Sequence, residues 1–154
     1  MSTDFQTNAG AIFSVSAAAP ATFDEAGYEA LTFTPATASE IVDYQGPNPE
    51  WDTVTDNSYS TADKADCKTG RRLGNGSINL RYKKTNTAFW DIIEAAELSK
   101  SAVLSVQYAH DNGVDLRWYT IQVSKAGEVQ GGADDFLMRE IGMLFQTTVV
   151  KGTV

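Results

Sequence analysis

The chain is poor in the residues that carry most enzyme chemistry. It has one cysteine, Cys67, and one histidine, His110, among 154 residues. One thiol cannot make an intrachain disulfide, so no disulfide framework is expected, which favours a reducing compartment. The simplest reading of Cys67 is a spectator thiol in a loop. His110 has no second His or Cys with which to build a zinc site. Beside the Asp111-Asn112-Gly113 turn it reads as a solvated side chain, not a base. Basic residues are also scarce: 12 Lys and Arg face 20 Asp and Glu, for a net charge of −8. Affinity for nucleic acid comes mostly from neutralising phosphates, so such a chain is not expected to grip DNA or RNA. No apolar run approaches the ~20 residues that a membrane-spanning helix needs. The Ala-rich piece Ala9 to Ala21 is preceded by Asp4 and no Lys or Arg, and Ser14 and Ser16 interrupt it, so a cleaved signal is not expected.

What remains is ordinary globular composition, 42% hydrophobic and 21% charged, in a length suited to one domain with its own core. The charge is uneven. Residues 1–66 hold eleven acids and one base, Lys64, for −10; residues 67–154 hold nine acids and eleven bases, for +2.

One convincing helix runs from Thr87 to Leu98 (TAFWDIIEAAEL). Phe89, Ile92, Ile93 and Ala96 recur at i, i+3, i+4 and i+7 and form its packing face. Asn86 and Thr87 both suit an N-cap, Asp91 lies near the positive end and Lys100 just past the negative end. At about three turns this helix is not stable alone and needs a sheet beneath it. The sheet is written in the rest of the chain. Ala11–Ser16, Glu40–Tyr44, Trp51–Thr55, Ser77–Lys83, Ser101–His110, Val114–Ser124 and a long run Phe136–Val150 read as strands. In the last, Leu137, Ile141, Met143, Phe145 and Val149 share one parity, and Gly142 on the other marks a bulge. Thr22 and Glu25 fit a capping box that opens a helical turn over 26–30, weakened by Gly27. Thr32–Thr34 is extended and ends at Pro35. Asn112-Gly113 specifies a tight hairpin, and Lys125–Gly127 with Gly131-Gly132 bracket a second turn. Residues 56–76 form a long polar excursion without periodicity, a length that is either functional or disordered. Lys64–Thr69 is a weak strand within it. The expected fold is mostly β, a sandwich or barrel with one flanking helix.

Tests for chemistry return nothing. Asp111, Asn112 and Asp115 lack the spacing and terminal Glu of a calcium loop. The adjacent pair Asp134-Asp135 points to opposite faces. Gly70–Ser77 (GRRLGNGS) imitates a phosphate loop but has the wrong spacing, no Lys, and a strand where a helix should begin. Trp51, Trp90 and Trp118 would serve a sugar platform only if exposed; Trp90 and Trp118 read as core and Trp51 as half-exposed. No catalytic residue, metal ligand or cofactor is expected.

The order of signals is more informative. It runs Thr22–Phe33 (TFDEAGYEALTF), Ile41–Tyr44 (IVDY), a Pro/Gly turn and Glu50–Thr55 (EWDTVT). The polar excursion, Gly76–Leu80 (GSINL), the helix, the Asn-Gly hairpin and the final strand follow. Over residues 20–150 this order resembles the major tail tube protein of long-tailed, siphovirus-type bacteriophages. The resemblance implies a non-enzymatic virion protein whose copies close into hexameric rings, stacked as a hollow tube for DNA ejection. It implies residues 1–19 as a contact arm and residues 56–76 as an inter-subunit loop with Arg71, Arg72 and Leu73 near its tip. Trp51 and Tyr59 join the contacts, and Asp52 is a candidate for the lumen wall. The partners implied are other copies, a tape measure protein, tail-end proteins and genomic DNA in passage; the place is the virion, after assembly in the bacterial cytoplasm, with no membrane. The alternatives are a secretion-system tube protein, another phage head or tail protein, or a carbohydrate-binding β-sandwich using Trp51 and Tyr59.

Overall fold

The computed structural model describes residues 10–36, 41–55, 63–82, 85–110, 115–129 and 132–153. In chain order the elements are β1 (Ile12–Ser16), α1 (Glu25–Glu29), β2 (Thr34–Ala36), β3 (Ile41–Gln45), β4 (Glu50–Thr55), β5 (Asp66–Arg72) and β6 (Asn75–Arg81). Then come α2 (Thr87–Leu98), β7 (Leu104–Ala109), β8 (Asp115–Val129), β9 (Met138–Phe145) and β10 (Val150–Thr153). The fold is mostly β, as expected, with two helices in place of one.

Eight strands form one antiparallel sheet in the order β2-β1-β7-β8-β9-β6-β3, with β10 also on β8. The fifteen-residue β8 is the spine. Along one edge it pairs with β7, from Ala109↔Leu116 to Leu104↔Ile121. Along the other it pairs first with β10 and then with β9, laid end to end. The expected single final strand is therefore broken at residues 146–149. There Thr147 turns inward, and its Oγ1 accepts from the Thr120 N–H at 3.1 Å. The expected turn at Lys125–Gly127 is instead part of β8. A register shift between Val123 and Lys125 leaves Ser124 as an extra residue opposite Gly142. A Cβ on Gly142 would sit 2.6 Å from the Ser124 hydroxyl, so the glycine leaves room for the bulge in its partner strand.

The sheet folds over so that β3 comes to face β1 and β7. Tyr44 lies 6.4 Å from Phe13, and face to face with Tyr108 at 4.2 Å. Between the layers lie Phe13, Val15, Ile78, Leu80, Leu104, Val106, Tyr119, Ile121, Ile141 and Met143, all buried. Alternation explains the choice: Leu104, Val106 and Tyr108 share a parity with one another and pair with Ile121, Tyr119 and Arg117. α2 closes the layers at the Leu104 end. Phe89, Ile93 and Ala96 are buried, Ile92 is half-buried, and Trp90 is buried as well. Phe89 meets Phe13 edge to face at 6.1 Å. Trp90 lies under the guanidinium of Arg139, 4.5 Å away, which also pairs with Glu94 at 2.9 Å.

A smaller apolar cluster forms on the outer face. Trp118 is buried there beneath α1, near-parallel to Tyr28 with centroids 6.1 Å apart. The cap of α1 differs from the expected capping box: Asp24, not Thr22, is the N-cap. The Thr22 hydroxyl donates to Asp24 Oδ1 at 2.7 Å, and the same oxygen accepts from the Gly27 N–H at 2.8 Å. A carboxylate is the stronger acceptor for the helix N–H groups, and these bonds hold its pKa below the usual value.

Three expected elements change. Pro35 does not end a strand but sits inside β2, paired with Ser14; β2 is at the sheet edge, where a missing N–H is tolerated. The stretch 1–19 is not all arm, because residues 12–16 form an interior strand between β2 and β7; residues 1–9 lie outside the described residues. The excursion 56–76 is not simply a loop: β5 and the first two residues of β6 fall in it, while residues 56–62 lie outside the described residues. The Asn112-Gly113 turn and Gly131 lie outside them too, although β7 and β8 pair as the hairpin requires.

Candidate functional site

β4 and β5 make a ribbon of their own, separate from the main sheet. Its register runs from Glu50↔Arg72 at the root to Thr55↔Asp66 further out, with an irregularity between Trp51 and Thr53. Neither face is covered. Every residue of β5 is exposed, and in β4 only Asp52 is half-buried. Trp51 and Val54 are 44% and 54% exposed. A two-stranded ribbon without a buried face is marginal in water. The contacts that brace it are on its surface. Arg72 Nε lies 2.9 and 3.0 Å from the two carboxylate oxygens of Asp52. Lys68 Nζ stands 5.4 Å from the Trp51 ring centre, and the Thr55 hydroxyl donates to Asp66 at 2.6 Å. Exposed ion pairs of this kind contribute little.

The ribbon reorders the sequence-derived contact residues. Arg71 and Arg72 lie at its root, not its tip, because they pair with Trp51 and Glu50. Leu73 is half-buried against the main core and anchors the root. Asp52 is engaged by Arg72. Cys67 is exposed, in a strand opposite Val54 rather than in a loop. Tyr59 lies outside the described residues.

Beside the root of the ribbon is a cleft of about 690 Å³. It opens at the end of the folded sheet opposite α2. Its floor is Tyr44, Tyr108 and Tyr119; Arg71, Arg117 and Lys151 stand around it. The Tyr44 and Tyr119 hydroxyls are 2.5 Å apart. Burial pushes both pKa values up, that of Tyr119 well above the ordinary phenol. Tyr108 is buried, and its hydroxyl has no hydrogen-bond partner among the described residues. His110 meets Tyr108 edge to face at 5.2 Å and is half-buried, not freely solvated. Desolvation, then the charge of Arg117, lowers its pKa, with Asp115 opposing. Sequence reading missed this cleft. The available signal was parity: Arg117 falls on the inward side of β8 with Tyr119, Ile121 and Val123.

Among the described residues no group of three or more His, Cys, Asp or Glu could hold a metal ion. No described helix is long and apolar enough to cross a membrane.

No protein-family model matches the chain, and no curated protein matches it in sequence. Its fold does match solved structures. One is a chain in the cryo-EM structure of the anti-feeding prophage (AFP) baseplate, 6-fold symmetrised. The match has a TM-score of 0.61 over 98% of this chain and 97% of that one, at 9% sequence identity. At that identity the match shows a shared fold and nothing finer.

Proposed function

We propose that the chain is a structural subunit of a phage-tail-type assembly, whose copies join into rings around a central passage. The observation that carries this reading is the β4–β5 ribbon: it displays Trp51 and Val54 on strands without a buried face. A neighbouring copy would supply the missing cover and hide the free strand edges, which otherwise invite aggregation. The shared fold with a chain of the AFP baseplate supports a place in such an assembly. The finer reading is a tube of stacked hexameric rings that contacts a tape measure protein and tail-end proteins and lets genomic DNA pass. The net charge of −8 suits the last role, because an acidic wall repels phosphate. A second reading, a ring at the tube's end in place of its repeating wall, draws on the match being to a baseplate chain.

Negative-stain electron microscopy of the purified chain at high concentration tests this. Hollow rods support the tube, and isolated rings support the end-ring reading; a monomer that never associates refutes both. Trp51→Ser with Val54→Ser should leave thermal stability nearly unchanged and abolish rods and rings. If the double variant assembles like the parent, the ribbon is not the joint.

A further inference from the structure

The cleft opposite α2 is lined by three cations and no acid, while Glu25 and Asp115 lie beside two of those cations, Arg117 and Lys151, at its margin. Arg117 comes from the inward-facing row of β8 and Lys151 from β10, while Arg71 leans in from the ribbon root. None of the ion pairs among the described residues uses them. The Arg117 guanidinium donates to the carbonyl of its neighbour Leu116 at 3.0 Å. Beneath them the buried Tyr108 hydroxyl has no hydrogen-bond partner among the described residues. With Glu25 and Asp115 to one side only, the three cations and the phenol inside the cleft leave room for oxygen acceptors from outside.

At the other end of the molecule, α2 turns Asp91, Glu94 and Glu97 outward, with Leu98 beside them at 85% exposure. Glu94 already meets Arg139. Asp91 and Glu97 take part in none of the ion pairs among the described residues. The three acids climb the helix at intervals of three, a row about 9 Å long.

We propose that the cleft is a socket for a second copy of this chain, entered by the acidic outer face of its α2. Carboxylates from Asp91 and Glu97 meet Arg117 and Lys151, and Leu98 packs on the apolar wall of Pro47 and Val149. This inference rests on the assembly reading and names one of its joints. Socket and helix lie at opposite ends of one molecule, as the β7–β8 register shows: Leu104↔Ile121 lies under α2 and Tyr108↔Arg117 at the cleft. A contact between unlike patches is head to tail, so it propagates into a ring or filament and does not stop at a pair. A nucleic-acid phosphate would satisfy the same cations. The chain's overall −8 opposes a phosphate polymer and a second copy alike, so the choice rests on the outward carboxylates of α2, which match the socket in sign.

Charge exchange at exposed positions tests the socket without disturbing the core. Lys151→Glu and Glu97→Lys, each alone, should weaken self-association measured by sedimentation velocity by on the order of tenfold or more. Combined in one chain they should restore much of it, because the pair is rebuilt with the signs reversed. Circular dichroism on all three should show the parent's unfolding temperature. If the parent assembles and the single variants assemble equally well, the socket is wrong and the assembly reading stands. If the parent itself stays monomeric, both fall. If a single-stranded oligonucleotide at about 0.15 M salt binds the parent but not Lys151→Glu, the cleft is a phosphate site and the socket is overturned.

Discussion

Gly152 permits the outer cluster to form, and replacing it with alanine should show how tightly that cluster is packed. In β10 Gly152 lies opposite Leu116, and the indole of Trp118 rests on its bare α-carbon. A Cβ there would lie 2.1 Å from Trp118 Cζ3 and 2.5 Å from Cη2. Carbon atoms settle at roughly 3.5–4.0 Å, so the ring would have to withdraw by about 1.5 Å. It has little room to do so. Trp118 is 1% exposed, its other neighbour is the near-parallel ring of Tyr28, and its Nε1–H donates to Gln107 Oε1 at 3.3 Å. Glu25 Oε1, 3.0 Å from the same Cβ, is the end of a flexible side chain and can swing away. Overpacking of this kind costs roughly 1–3 kcal/mol, and the confinement of the indole places Gly152→Ala at about 2 kcal/mol. For a chain of this size that lowers Tm by about 4–8 °C. Thermal unfolding followed by circular dichroism and tryptophan emission measures it. The cause is checked with Trp118→Phe, whose smaller ring should absorb part of the added methyl. The double variant should be less destabilised than the two single changes together, by about 1 kcal/mol. A Tm within a degree of the parent for Gly152→Ala, or strict additivity in the cycle, would refute this account of the glycine.

Two further outcomes follow from the interior. Burial raises the pKa values of Tyr44 and Tyr119 above the ordinary 10.0, so their stabilising effect is complete below pH 10 and is lost as the pH climbs beyond it. Urea unfolding at about pH 8 and about pH 11 should show a loss of stability that Tyr44→Phe makes smaller; an equal loss in both proteins would count against the pair. Arg139 lies over Trp90 and reaches Glu94, joining β9 to α2. Arg139→Lys should therefore cost about 1 kcal/mol in chemical denaturation, since an ammonium cannot lie flat on the ring and reach the carboxylate together.

What was readable in the sequence was whatever depends on local pattern. Ile78 and Leu80 alternate with polar neighbours and are buried; the helix at 87–98 follows from its apolar spacing. What could not be read depends on partners remote in the chain. Nothing near Pro35 announces that its strand lies at an edge. Lys125–Gly127 has turn composition, but β9 holds it extended. Residues 146–149 look continuous with the strands on either side until Thr147 finds Thr120. Trp118 was legible as buried, but the layer that buries it comes from α1, some ninety residues earlier. The cleft was the least visible feature, because Tyr44, Arg117 and Lys151 come from three separate strands. The β4 half of the ribbon was foreseen. Its partner was largely hidden by a polar stretch in which both faces are exposed, so no alternation exists to be read.

The position of β1 constrains how the molecule is made. Residues 12–16 lean on one side against the three-residue β2 and on the other against residues 105–109. A ribosome adding about 5–20 residues per second therefore leaves the first strand waiting several seconds for its main neighbour. Residues 115–118 of β8 wait in turn for residues 150–153. A fragment that stops before residue 105 would therefore leave β1 without the longer of its two neighbours.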